Sequence, residues 1–185
     1  MIPIWRPRRA ALGTSLVEFI LEGNTLAGAG HSFRAAHGRA GIIPAAQKRE
    51  GDGGTPTGLL RLARVLYRAD RVNPPACAVP VEPISPHDGW CDDVADAAYN
   101  QKVRLPFAPS HEALWRDDHV YGIIGVLDWN LNPIIPGKGS AIFLHIATPD
   151  YAPTAGCVAL SQADVLAALA AGMSAIYVPG HYKNQ

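Results

Sequence analysis

Between Gly38 and Gly58 the chain places Gly38, Gly41, Pro44, Gly51, Gly53, Gly54, Pro56 and Gly58. A helix or strand is interrupted too often by breakers at that density, so the segment is expected as an ordered loop. It is the extreme of a general trend. The 185 residues include 18 glycines and 16 prolines, well above average usage, so turns and short elements are expected and long helices are not. Apolar residues make up 48% and charged residues 17%, which excludes disorder as the main state. The length suits one domain, residues 1–185, with a real core. Basic and acidic residues balance at 16 each, which argues against a general nucleic-acid binder. No apolar run approaches the roughly 20 residues that a membrane span needs.

Residues 14–22, TSLVEFILE, are β-branched and aromatic and end at Gly23-Asn24, a strand followed by a turn. Leu26–Phe33 reads as a returning strand and Leu59–Tyr67 as another. Seven prolines and an acidic patch (Asp88, Asp92, Asp93, Asp96) between Asn73 and Pro109 suggest long surface connections. Tyr121–Trp129 and Ser140–Ala147 read as buried strands, with Pro133–Gly139 turning the chain between them. One helix is well signalled: Ser161 with Asp164 caps it, Val165, Leu166 and Leu169 share a face, and Gly172 stops it. Ser174–Val178 follows as a final strand. The chain is thus expected to be mainly β, a small barrel or sandwich with one or two helices.

Arg6, Arg8 and Arg9 resemble the start of an export signal, but Glu18 and Glu22 follow too soon for an uncharged core, so residues 14–22 are taken as a strand. Cys77, Cys91 and Cys157 cannot all pair within the chain. Cys77 and Cys91 could bridge in an oxidising compartment, yet nothing local demands it, and they are expected to be buried free thiols; no zinc spacing accompanies them. Charge is uneven: residues 34–71 hold eight basic and three acidic side chains, and residues 82–118 the reverse. Two solvated loops that attract each other are the plainer explanation, and a cleft with opposed walls for a zwitterionic ligand is the sharper one.

The segment richest in chemistry is Phe143-Leu144-His145-Ile146, followed after a short loop by Thr154-Ala155-Gly156-Cys157-Val158. A histidine ending an apolar strand, with a Gly-Cys pair eleven residues further on, supplies a thiol nucleophile and a local base that could hold it as thiolate. Glycine before the nucleophile allows close backbone approach. The amides of Thr154, Ala155, Gly156 and Cys157 could donate to an oxyanion. A buried core pair is the competing explanation of the same spacing.

This segment resembles the L,D-transpeptidase catalytic domain (the YkuD-like family), whose mark is a histidine-ending strand followed by S/T-x-G-C-[IV]. The matching stretch is FLHIATPDYAPTAGCVAL, residues 143–160. Upstream, Lys48–Gly58 (KREGDGGTPTG) is similar to the family's K-x-G-D-x-x-T-P-x-G loop. Gly89–Asp93, Tyr99-Asn100 and Pro136–Ser140 resemble a compact branch of the family. The resemblance covers roughly residues 25–178. It implies a small β-rich barrel or sandwich and a reaction on peptidoglycan stem peptides: a thiolate attacks the carbonyl at the L-centre of a diamino acid, terminal D-alanine leaves, and an amine from a neighbouring stem resolves the thioester. Carried onto this chain, it implies Cys157 as nucleophile and His145 as base, with the amides of Gly156, Ala155 and Cys157 around the oxyanion. The backbone carbonyl of Ile146 would be the third member. It implies no metal or organic cofactor and work in the cell envelope or periplasm; the chain is expected to act as a monomer.

Three departures accompany the resemblance. Ile146 stands where many members have glycine or serine, the loop from His145 to Cys157 is short, and Ala159 replaces an arginine that orients the donor peptide. Hydrolysis by water needs the same Cys–His pair, so an L,D-carboxypeptidase or amidase-type hydrolase is the alternative. A non-catalytic envelope-binding module, with Cys157 packed inertly, is a further one. Thr154, Trp90, Tyr99, Asn100 and Asn130 are candidate substrate-binding residues. Trp90, Tyr99 and Trp129 could line a peptide groove, with core packing the commoner use of aromatics. Asn100 and Asn130 suit turns equally well, and Asp52 is expected to cap amides of the glycine loop.

Overall fold

Phe19 and Leu21 are buried while Glu18, Ile20 and Glu22 are exposed along β1 (Val17–Glu22), the period-two pattern of a strand with one face on a core. The computed structural model describes residues 17–180, so residues 14–16 of the expected strand, and Arg6, Arg8 and Arg9, lie outside the described residues. The chain turns at Gly23 into β2 (Thr25–Gly28). It turns again at Ala29-Gly30, with φ of 50° and 78°, into β3 (His31–Arg34). The single strand expected over Leu26–Phe33 is therefore a hairpin, because two successive left-handed residues reverse the chain. The breaker-rich stretch is a loop whose strands, β4 (Ile42–Ile43) and β5 (Thr55–Pro56), span two residues each. It leads into β6 (Gly58–Tyr67), the longest strand.

Beyond β7 (Val81–Pro83), which pairs with β6, the expectation of mere surface connections is corrected. β8 (Asp88–Cys91), β9 (Lys102–Arg104) and β10 (His111–Ala113) form a separate sheet in the order β10-β8-β9. Its prolines lie between the strands, where no ladder amide is needed. The remaining elements follow the sequence pattern closely: β11 (Ile123–Leu127), β12 (Phe143–Ile146), β13 (Val158–Leu160), α1 (Gln162–Ala170) and β14 (Met173–Val178). Ser161 Oγ accepts from the Asp164 amide at 3.1 Å at the start of α1, and Gly172 follows its end at φ 86°. The buried face of α1 is Val165, Ala168 and Leu169, with Leu166 only half-buried.

The large sheet has nine strands in the order β13-β12-β11-β6-β14-β1-β2-β3, with β7 on β6. Its ends meet. Just past β3, Ala36 donates to Ala159 of β13 and accepts from it, both at 2.8 Å, so the sheet bends into a nearly closed barrel. The main core fills it, from Phe19 and Leu26 to Val165 and Ile176. A second cluster (Leu66, Trp90, Leu114, Tyr121, Phe143, Cys157) joins the small sheet to the outside of β11 and β12. Phe143 organises it, with edge contacts to Trp90 and Tyr121 at centroid distances of 5.0 and 6.1 Å. All three cysteines are free thiols; Cys91 is buried as expected, Cys77 is only half-buried where burial was expected, and Cys157 is buried as well. Among the described residues no helix is long and apolar enough to cross a membrane.

Candidate active site

The barrel seam brings His145 and Cys157 to one face. β12 and β13 run parallel, with His145 opposite Ala159. Cys157 precedes Ala159 by two residues and therefore points to the same side as Ala159 and His145. All three line a cavity of about 490 Å³. The turn into Cys157 demands glycine: Gly156 has φ 140°, and a Cβ there would stand 2.9 Å from the Gly54 carbonyl oxygen. Thr55 ties the two loops together, donating from Oγ1 to the Gly156 carbonyl at 2.8 Å while accepting from the Gly38 amide at 2.9 Å. The glycine loop is thereby the floor on which the cysteine turn rests. Asp52 shapes that loop as expected, accepting from the Arg49 and Gly54 amides and from Lys48 Nζ. Burial alone would raise its carboxyl, but Lys48 and the two amides outweigh burial and lower it.

His145 Nδ1 lies 2.9 Å from the Ile146 carbonyl oxygen. A carbonyl only accepts, so Nδ1 carries the proton and Nε2 keeps its lone pair. The Cys157 thiol donates to the Ala141 carbonyl at 3.2 Å, and its sulfur accepts from the Phe143 amide at 3.4 Å. Burial pushes the Cys157 pKa up to about 12, against the Phe143 amide and the Lys48 charge. Burial pushes the His145 pKa down to about 4, helped by Arg116 and opposed by the Ile146 carbonyl. Burial thus favours the neutral thiol and the neutral imidazole over either separate ion. A lone thiolate or a lone imidazolium here would lack a hydrogen-bonded counter-ion.

The structure redistributes the other expected site residues. The Gly156 amide donates to Thr154 Oγ1 at 3.1 Å, so its contribution is conformational and its N–H is occupied. The amides of Ala155 and Cys157 have no protein acceptor among the described residues. Thr154 lines the cavity, but its hydroxyl also donates to the Cys157 carbonyl at 2.7 Å, so it braces the turn. Trp90, Tyr99 and Asn100 are buried away from the cavity. Asn100 Oδ1 accepts from Trp90 Nε1 and the Ala141 amide, and its Nδ2 donates to the Trp129 and Asn130 carbonyls. Tyr99 donates to Glu50 and accepts from the Gly139 amide. Asn130 closes its own turn through Ile135 and Gly139. Asn100 holds the Ala141 backbone beside Cys157, Tyr99 and Asn130 brace the neighbouring Gly139, and none of these candidates lines the cavity.

What sequence reasoning missed is the ring of charge around the cavity. Arg39 and Lys48 come from the basic stretch, and Asp92, Glu112 and Arg116 from the acidic one. Both charge-rich stretches thus reach the cavity, though with mixed signs, since Glu50 from the basic stretch lines it too, and the charge asymmetry was the available signal. Arg39 is exposed, lies along Gly53, and has no ion pair among the described residues. Its amide donates to the Thr154 carbonyl at 2.8 Å, which fixes it beside the cysteine turn.

Residues 15–171 match the family model described as YkuD, the L,D-transpeptidase catalytic domain. No curated protein and no solved structure matches the chain. The match takes in the glycine loop, the small sheet and the His145–Cys157 seam together, and the chain belongs to the YkuD family of L,D-transpeptidase catalytic domains.

Proposed function

We propose that the protein is a cysteine-dependent L,D-transpeptidase acting on peptidoglycan stem peptides through a thioester. Cys157 attacks the carbonyl at the L-centre of the donor as its proton passes to His145 Nε2. Starting from a neutral pair, deprotonation is concerted with attack, and the Ile146 carbonyl steadies the imidazolium that forms. The Ala155 and Cys157 amides stabilise the oxyanion. His145 then protonates the departing D-alanine amine, and an acceptor amine releases the acyl group from sulfur. Arg39, tied by its amide to Thr154 and lining the same cavity as Ala159, holds the donor's terminal carboxylate in place of the arginine that the sequence lacks at 159.

The observation that carries this reading is the placement of Cys157 and an oriented, neutral His145 on one face of a single cavity, in a chain of this family. Incubation with purified muropeptides and weighing of the products tests it. The wild type should release D-alanine and form cross-linked dimers through a Cys157 thioester, and Cys157→Ala should do neither. Product formation by folded Cys157→Ala refutes the assignment.

A further inference from the structure

One wall of the cavity carries carboxylates that the steps above leave without a role. Glu112 stands on β10, opposite Trp90 of β8, and lines the cavity beside Asp92 and Glu50. Its Oε1 accepts from the Tyr121 hydroxyl at 2.7 Å. Arg116 stands 3.9 Å from the same oxygen while bonding Asp118 at 2.6 Å, so it neutralises Glu112 only in part. Tyr121 presents its ring to His145 edge-to-face at 5.5 Å, which places Glu112 one side chain away from the imidazole. Asp92 gives an independent sign: its Oδ1 is buried with no hydrogen-bond partner among the described residues. A carboxylate oxygen removed from water without a donor is costly, and it leaves this wall with negative charge that favours a cation in the cavity. Burial, with the charges of Asp92 and Glu50, also raises the Glu112 carboxyl and makes it a better proton acceptor.

We infer that Glu112 docks the ammonium group of the acyl acceptor and takes its first proton, so that this wall selects aminolysis of the thioester over hydrolysis. The inference rests on the thioester reading above. The ammonium gives one proton to the Glu112 carboxylate. The amine nitrogen then bonds to the thioester carbonyl carbon, and the C–S electron pair returns to the Cys157 sulfur. The second nitrogen proton passes through His145 Nε2 to that sulfur, and Glu112 releases its proton to solvent. The products are an amide, a free thiol and one proton.

The test gives the enzyme a tetrapeptide donor with either Nα-acetyl-lysine, charged at neutral pH, or hydroxylamine, which is neutral. Mass spectrometry reads each adduct against the hydrolysed tripeptide, and D-alanine release reads acylation. Glu112→Gln should lower the lysine-adduct ratio about tenfold, the size of one lost charge-assisted contact. Its hydroxamate ratio should stay unchanged, each ratio being taken per acyl-enzyme formed as read by D-alanine release. An unchanged lysine ratio in an acylating variant, or an equal loss with hydroxylamine, overturns the inference alone. A wild type that never acylates overturns the thioester reading and the inference with it. Should Glu112→Gln fail to fold, the wild type decides: Nα-acetyl-Nε-trimethyl-lysine, charged but unreactive, should compete with the lysine acceptor and not with hydroxylamine. Absence of competition overturns the inference.

Discussion

Two buried polar sites touch through Gly54 and Gly156, and they are built in opposite ways. In the glycine loop Lys48 is 2% exposed, and its ammonium is met by Asp52 at 2.6 Å and the Arg49 carbonyl at 2.8 Å. At the seam Cys157 and His145 are each 7% exposed, but their bonds go to backbone groups and neither has a counter-ion among its hydrogen-bond partners. The first site is a closed ion pair that fixes a loop. The second stays neutral and keeps a proton ready to move. Burial of a polar group makes architecture when a charge answers it, and sets a protonation state when none does.

The sharpest way to break this comparison is Asp52→Ala. It leaves Lys48 buried without its ion partner and frees the Arg49 and Gly54 amides, so stability should fall by about 3–5 kcal/mol in denaturant unfolding. A loss under about 1 kcal/mol would mean that the pair is a solvated contact.

Next in size is the acid limb of stability. His145 titrates at about 4 when folded, below the ordinary value of about 6.5, so the unfolded chain binds more protons in that window. Stability from this group is present above pH 6.5 and is lost as pH falls through about 4, on the order of 3 kcal/mol. In His145→Ala that component should vanish, flattening the curve between pH 6.5 and 4 relative to the wild type. Parallel curves would show that the imidazole is not desolvated.

A third and smaller effect belongs to Asn100. Its amide joins Trp90, Ala141, Trp129 and Asn130, so Asn100→Ala should cost about 2–3 kcal/mol and also slow acylation, because the Ala141 carbonyl that orients the thiol loses its support. Asn100→Asp keeps Oδ1 but turns a buried carboxylate oxygen towards the Trp129 and Asn130 carbonyls, so it should cost at least as much as Asn100→Ala. Unimpaired acylation in a destabilised Asn100→Ala would separate the core network from the site.

The legible parts of the fold were those with local signals. β1, β6, β11 and β12 carry apolar periodicity or continuous apolar runs, and Ser161 with Gly172 bounds α1. The small sheet was invisible because DGWC, KVR and HEA are too short and too polar to show a period. The same division runs through the site. His145 and Cys157 were legible because adjacent parallel strands join them through one short loop. Arg39, Glu112 and Tyr121 reach the cavity only through barrel closure and the docking of the small sheet, which leave no spacing to read. Trp90, Asn100 and Asn130 were misplaced for a related reason: an amide or indole serves a ligand or a loop equally well, and the backbone groups beside it decide which.

The smallest effect at neutral pH is that of Cys157→Ala, and its sign reverses with pH. The thiol makes two long hydrogen bonds, at 3.2 and 3.4 Å, and its deletion leaves a space next to an existing cavity. The stability loss at pH 7 should therefore be about 1 kcal/mol. The folded thiol titrates at about 12 and the unfolded one near 8.5, so above about pH 8.5 the unfolded chain sheds a proton that the folded chain keeps. Wild-type stability attributable to Cys157 therefore falls as pH rises, by about 2 kcal/mol at pH 10. Cys157→Ala has no such term, and Cys77 and Cys91 contribute equally to both proteins. The two stability curves should cross between pH 9 and 10, roughly where the alkaline loss overtakes the packing loss. Curves that stay parallel to pH 10 would place the folded thiol near its ordinary pKa, and the contrast with the charged Lys48 site would then rest on His145 alone.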